Sequence, residues 1–159
     1  MELKNFLKLF REFPQIDQTA KVLSRPNSHI HWKGHVGSSR SISAIAVAEQ
    51  TPGHHVFILN DKEEAAYFLN DLEGIYPEDK RILFYPSSCQ VPYQFEEIDN
   101  ANVVHRAEIL ERVASGFNTW IVTYPEALFE KVPTKKKLLD NTLRLEVGKN
   151  YSIDFINEL

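Results

Sequence analysis

Cysteine and glycine are scarce in this chain, whose 159 residues include one cysteine, six glycines and a formal net charge of −4. The single cysteine, Cys89, excludes an internal disulfide and is typical of a reducing cytoplasm, where we expect the protein to reside. The net charge gives no support to a broadly basic nucleic-acid-binding surface. No apolar run approaches the roughly 20 residues that span a bilayer, and the N-terminus lacks a signal-peptide core. We therefore expect neither a membrane protein nor an exported one.

Apolar runs alternate with helical patterns along most of the sequence. An amphipathic helix is expected over residues 3–13, where Pro14 ends it. Strands are then expected near residues 30–32, 56–59, 82–85 and 120–123, and helices near 40–50, 61–74 and 103–116. The run at 56–59 is apolar throughout, which is typical of a strand covered on both faces. Because strands that alternate with helices assemble into parallel sheets, the sequence predicts an α/β fold with a parallel sheet flanked by helices.

The most informative motif is the segment 34–41, Gly-His-Val-Gly-Ser-Ser-Arg-Ser, which has the layout of a phosphate-binding P-loop. A working loop reads G-x-x-x-x-G-K-[ST], with glycine backbone around the phosphates and lysine on the terminal pair. Gly34 and Ser41 fit this pattern, whereas Ser39 stands at the second glycine and Arg40 at the lysine. The motif therefore departs from the pattern at its two most demanding positions.

Both departures disfavour nucleotide binding. The second glycine lets backbone approach phosphate closely, so Ser39 weakens the fit. Arg40 presents a wide planar fork where a compact ammonium charge is needed. Backbone donors at the start of the following helix would still attract an anion weakly, and a plain glycine turn between strand and helix is an equally good interpretation. We expect no catalytic residue and no bound cofactor in this degenerate loop, which comprises Gly34, Gly37, Ser38, Ser39, Arg40 and Ser41.

Acids and histidines elsewhere do not form a convincing metal site. Asp61 follows a predicted strand but is better explained as a helix N-cap, with Glu64 three residues on in a capping-box arrangement. Glu126 is better explained as an acid in the first turn of a helix that Pro125 begins. The histidine pairs lack nearby cysteines or the i, i+4 spacing of zinc ligands. These pairs are His29 with His31 and His54 with His55.

Three further features have a functional and a structural interpretation. The lysine run 135–137 could contact a nucleic-acid backbone with salt-sensitive affinity, but such a run is more often a solvated turn. The aromatic residues Tyr85, Tyr93 and Phe95 flank two prolines and could form a docking surface or fold onto the sheet edge. We expect Cys89 to be a loop thiol rather than a nucleophile.

The pattern changes after Lys131. Residues 142–147 alternate polar and apolar side chains, which predicts a half-exposed strand, and residues 152–159 resemble a short capped helix without packing partners. We therefore predict one α/β domain over residues 1–132 and the start of a second small α+β subdomain over residues 133–159, cut short at the end of this sequence.

The ordered set of motifs resembles the N-terminal region of the bacterial transcription-repair coupling factors (Mfd). The motifs that carry the resemblance are the loop at 34–41, Phe84-Tyr85-Pro86, Val91-Pro92-Tyr93, Arg106, the stretch 120–128 and Glu130-Lys131-Val132-Pro133. Their order and spacing are more specific than any one of them. The layout is also similar to the first domain of the excision-repair protein UvrB, whose loop keeps glycine and lysine where this chain has Ser39 and Arg40.

The resemblance implies a P-loop NTPase or helicase type of fold, like UvrB domain 1, followed by a UvrA-binding subdomain. It implies a non-catalytic scaffold within a large protein that displaces stalled RNA polymerase and recruits UvrA to damaged DNA in nucleotide excision repair. ATP and magnesium then belong to the parent's C-terminal translocase motor, on which this region packs. Contacts with UvrA are expected mainly beyond Leu159, and contacts with RNA polymerase and DNA in other domains. The alternative is a nucleotide-binding domain of a UvrB-like or helicase-like ATPase.

Overall fold

The computed structural model describes residues 3–88 and 99–140. The elements in chain order are α1 (Leu3–Arg11), α2 (Pro14–Leu23), α3 (Ser39–Ala48), β1 (His55–Ile58), α4 (Lys62–Ile75), β2 (Ile82–Phe84), α5 (Asn100–Ala114), β3 (Trp120–Thr123), α6 (Pro125–Phe129) and α7 (Lys135–Asp140). The three strands form a parallel sheet in the order β1-β3-β2. The prediction of a mixed α/β fold with a parallel sheet flanked by helices is thus confirmed, with three strands among the described residues.

Much of the core lies between the sheet and the helices that cover one of its faces. Trp120 and Val122 of the central strand are almost fully buried, and α4 packs over β2 and β3 with Phe68 and Leu72. Ile45 of α3 belongs to the same cluster. Since alternate residues of a strand point to opposite faces, this face is built from every second residue of each strand.

The opposite face is covered only in part. Leu83 of β2 is buried in the same core cluster as Ile109 of α5, whereas Val56 and Ile58 of β1 are 51% and 58% exposed. The prediction that the run 56–59 is covered on both faces is therefore wrong. Among the described strands, β1 lies at an edge of the sheet, with β3 as its one neighbour.

The N-terminal region contains one helix more and one strand fewer than predicted. Pro14 follows α1 but also opens α2, because the first helical position needs no N–H donor and suits the fixed φ of proline. The predicted strand at 30–32 is wrong, since residues 28–36 have no regular secondary structure. The side chain of Trp32 instead packs against a buried cluster formed by α2 and α3, of which Ile16 is part. A run of three residues has little stability as a strand unless a neighbouring strand pairs with it.

Several predicted helix boundaries are confirmed. The Asp61 side chain accepts a hydrogen bond from the Glu64 amide at 2.7 Å, whereas the Glu64 carboxylate accepts one from Asn60 rather than closing the capping box. α4 runs through Gly74 to Ile75, one residue beyond the predicted end. Pro125 opens α6 as predicted. α7 begins at Lys135, so the interpretation of the lysine run as a turn is wrong, although its side chains are exposed.

Some predictions lie outside the described residues: the strand at 142–147, the helix at 152–159, Cys89, Tyr93 and Phe95. The boundary near residue 132 stays a prediction. Within the described ranges, none of the helices is both long and apolar enough to cross a membrane.

Candidate functional site

The loop at 34–41 connects an irregular segment to α3 rather than a strand to a helix. Gly34 and Gly37 adopt positive φ angles of 85° and 56°, which glycine tolerates and other residues rarely adopt. In a P-loop the glycine turn follows a strand of the sheet and is thereby held at the sheet's carboxyl edge. Here residues 28–36 form no strand. The turn therefore has the expected glycine conformations but follows an irregular segment instead of a strand of the sheet.

Ser39, at the position of the second glycine, closes the turn upon itself. Its Oγ accepts a hydrogen bond from the Val36 amide at 2.9 Å and donates one to the Val36 carbonyl at 2.8 Å. The Ser39 amide bonds the Val36 carbonyl at 3.3 Å, and the Arg40 amide bonds the Gly37 carbonyl at 3.4 Å. The backbone amides of Ser39 and Arg40 are therefore engaged within the loop.

Carboxylates of α4 bind the remaining polar side chains of the loop. Asp71 accepts hydrogen bonds from the hydroxyls of Ser41 and Ser38, the second at 3.2 Å. Arg40 forms an ion pair with Glu64 at 3.6 Å. The loop and α4 enclose a cleft of about 430 Å³ that both carboxylates line. Arg40 also lines this space and offsets the charge of Glu64, whereas Asp71 has no ion-pair partner among the described residues, and its carboxylate disfavours a nucleotide polyphosphate.

The structure brings four of the six predicted loop residues to this cleft. Gly37, Ser38, Arg40 and Ser41 line it, whereas Gly34 and Ser39 do not. The sequence reasoning missed Asp71. A signal was present, since Glu64 and Asp71 are seven residues apart on a predicted helix and so lie on one face of it.

A second polar cluster surrounds Arg106, which is buried. Its guanidinium donates to the carbonyls of Pro86 at 2.6 Å and Ala127 at 3.0 Å, and lies 4.3 Å from the centre of the Tyr85 ring. Nη2 of Arg106 is 3.3 Å from a carboxylate oxygen of Glu130. This arginine joins α5 to the segments that follow β2 and β3, which is the sheet edge where open α/β folds commonly bind ligands. Tyr85 is a buried part of this cluster, which agrees with the interpretation that it folds onto the sheet edge and not with a docking surface.

Glu130 completes the cluster as an ionised acceptor. Partial burial alone would raise its pKa, but hydrogen bonds from Ser87 and Ser88, together with the charge of Arg106, hold the pKa of Glu130 below its ordinary value. The hydroxyls of both serines donate to this carboxylate at 2.6 Å. The cluster therefore ties three segments of chain together, although the buried Tyr85 hydroxyl and Nη2 of Arg106 have no hydrogen-bond partner among the described residues.

The other candidate residues remain separate from the cleft. His54 bonds the Thr119 hydroxyl at 2.9 Å and His55 bonds the Thr51 carbonyl at 3.0 Å, whereas His29 and His31 are exposed. Glu126 lies in the first turn of α6, as predicted. Among residues 3–88 and 99–140, no group of three or more His, Cys, Asp or Glu side chains could hold a metal ion.

Comparisons with protein-family models, with curated proteins and with solved structures found no match to this chain.

Proposed function

We propose that this chain is a non-catalytic scaffold region of a transcription-repair coupling factor, in which the α/β domain supports a UvrA-binding subdomain. The absence of catalysis is supported by the contacts of the P-loop-like segment, whose functional side chains are bound by acids of α4. The hydroxyl of Ser41, which would bind magnesium in a working loop, is held by Asp71. The charge of Arg40 is directed to Glu64. The motif order of the sequence supports the assignment to the coupling factors.

The physical argument concerns what a nucleotide would have to displace. A polyphosphate entering the cleft would meet the carboxylates of Glu64 and Asp71 and would have to break the contacts that these make to the loop. The amides of Ser39 and Arg40 would not be free to bind the phosphates, because they already donate to carbonyls within the turn. A working P-loop offers its amides and its lysine free of such partners. A structural role, in which the loop holds α3 against α4, requires none of these changes.

The proposal is tested by strand-specific repair in the organism that encodes the chain. Deleting the gene should abolish the faster repair of ultraviolet lesions in the transcribed strand and leave repair of the other strand unchanged. Complementation with the intact gene should restore the difference, and complementation with Arg40→Ala should restore it equally well. Unchanged strand preference after the deletion would exclude a coupling factor.

The Arg40→Ala variant separates the scaffold from the alternative, a UvrB-like or helicase-like ATPase. If the gene restores strand preference only when Arg40 is intact, while the variant protein accumulates to the normal level, the loop has an active role and the scaffold interpretation is wrong. Arg40 is a suitable probe because its side chain is half exposed and its ion pair with Glu64 lies at the surface, where such pairs contribute little to stability.

A further inference from the structure

A second cavity, of about 320 Å³, lies between the N-terminal helices and the irregular segment before the loop. Buried Ile16 of α2 and Ser43 of α3 line it, together with the side chains of Phe10, Phe13 and Trp32. Neither the loop chemistry nor the proposed scaffold role makes use of this space.

The aromatic surfaces of the cavity are held in place before any ligand arrives. Nε1 of Trp32 donates to the hydroxyl of Thr19 at 3.1 Å, and Thr19 is itself buried. The Trp32 ring is 5.1 Å from the His35 ring, and Phe13 is 5.5 Å from Phe10. Phe13 is nevertheless 50% exposed, so part of its side chain is open to solvent. Flat walls of this kind favour a flat ligand, because rings stack over a large area with little loss of side-chain freedom.

Ser43 of α3 contributes a hydroxyl to the lining of the cavity. The residue is 5% exposed. Because a serine hydroxyl can both donate and accept a hydrogen bond, it can bond a polar atom of a ligand there. The neighbouring Ser41 is already bonded to Asp71.

The charge at the mouth of the cavity is positive. Lys33 lines it and is exposed, with no ion-pair partner in the described part of the chain. His31 and His35 also line the cavity. None of the described residues that line the cavity is an acid. The cleft at the loop differs from it, since the carboxylates of Glu64 and Asp71 line that cleft together with Arg40.

We propose that this cavity binds a planar aromatic anion, with its ring system against Phe13 and Trp32 and its negative group near Lys33. The hydroxyl of Ser43 then meets a polar atom at the inner end of the ligand. This inference does not depend on the scaffold role, because it uses a different cavity and different residues.

The test uses two fluorescent probes that differ mainly in charge. The anionic probe is 8-anilinonaphthalene-1-sulfonate, and the neutral probe is N-phenyl-1-naphthylamine, which lacks the sulfonate. Both are titrated into the intact chain. The anionic probe should bind saturably at one site and more tightly than the neutral one. Substituting Lys33→Met should weaken the anionic probe about fivefold, as expected for one partly screened charge, and leave the neutral probe within about twofold.

Aromatic variants test the position of the ring system. Phe13→Ala should weaken both probes by roughly tenfold, because the ring that stacks on them is lost. Phe13→Leu retains apolar area without the flat face and provides a second variant if Phe13→Ala lowers stability. Two matched controls lie elsewhere: Phe129→Ala on α6 and Lys62→Met at the start of α4. Both should leave the affinities unchanged, with circular dichroism confirming the fold of each variant.

The proposal is overturned if Lys33→Met and both Phe13 variants leave the affinity for the anionic probe within about twofold of the unaltered chain. It is also overturned if Lys33→Met weakens the two probes equally, since the charge then plays no specific part. The proposal is likewise overturned if neither probe binds saturably.

Discussion

The hydroxyl of Ser41 donates a hydrogen bond to the carboxylate of Asp71, thirty residues away on α4. Ser41 is 3% exposed, and its partner also accepts from Ser38, so the start of α3 is fastened to the middle of the next helix. In a nucleotide-binding loop this hydroxyl would be free to bind magnesium. Its pairing with an acid gives the loop a structural explanation that needs no ligand.

The Ser41–Asp71 pair should show coupling in a double-mutant cycle. Asp71→Ala alone should lower the free energy of unfolding by about 1–2 kcal/mol, because the buried hydroxyl of Ser41 loses its acceptor. Ser41→Ala should cost a similar amount, and the double variant should cost clearly less than the sum of the two. Urea denaturation of the four proteins provides the measurement. Strictly additive losses would mean that the two side chains do not interact.

Replacing each of two glycines by alanine should change the stability of the protein in opposite directions. Gly37 has a φ of 56°, where an alanine is strained, so Gly37→Ala should destabilise the protein by about 1 kcal/mol. Gly74 lies inside α4 without a positive φ, and a Cβ there would meet no atom within 4 Å. Gly74→Ala should therefore stabilise by up to about 0.5–1 kcal/mol. Thermal melts of both variants test the pair, and the same sign of change at both positions would contradict it.

Arg106 should be far more important for stability than another arginine of the same helix. Arg106→Met leaves the carbonyls of Pro86 and Ala127 without this donor and removes the charge that faces Glu130, and it should cost about 3 kcal/mol. The control is Arg112→Met, whose arginine makes one exposed hydrogen bond and should cost less than about 1 kcal/mol. Urea midpoints compare the two. Equal losses would contradict the assignment of Arg106 as the link at this sheet edge.

The ionisation of Glu130 should make stability fall in acid. Its pKa in the folded protein is below the ordinary value of 4.5, so its contribution is fully present above about that pH. The contribution is then lost as the pH falls through the lower folded pKa. The Glu130→Gln variant should accordingly be less stable than the unaltered protein at pH 7, with the difference narrowing towards pH 3. Urea midpoints across this range provide the check, and a difference that stays constant would show that the pKa is not lowered.

The sequence predicted the central elements of the fold well and the edges poorly. The run 120–123 is correctly a strand, and as β3 it is the central strand, with neighbours on both sides. The run 56–59 has similar composition but contributes the edge strand β1, with exposed Val56 and Ile58. An apolar composition indicates that a segment favours burial. The position of a strand within a sheet depends instead on pairing with strands that are far away in the sequence. The failed strand at 30–32 has the same cause, because nothing in a local run of three residues specifies a partner.

For the candidate site, the sequence predicted the departures from the P-loop pattern but not the hydrogen-bond partners of the loop side chains. The sequence alone identified Ser39 and Arg40 as misfits to the P-loop pattern. It did not reveal that Ser39 closes the turn on Val36, since that bond depends on the loop's own backbone conformation. Nor did it place Asp71 against Ser41, because the contact requires α3 and α4 to pack side by side.

The most direct test of the scaffold account is a titration of the unaltered chain with labelled ATP and magnesium, followed by an assay for phosphate release. We expect no magnesium-dependent binding in the micromolar range and no turnover, and we expect Ser41→Ala to change neither result. Weak, magnesium-independent ATP binding that Lys33→Met removes would belong to the aromatic cavity. Micromolar magnesium-dependent binding with turnover, both lost in Ser41→Ala, would contradict the account.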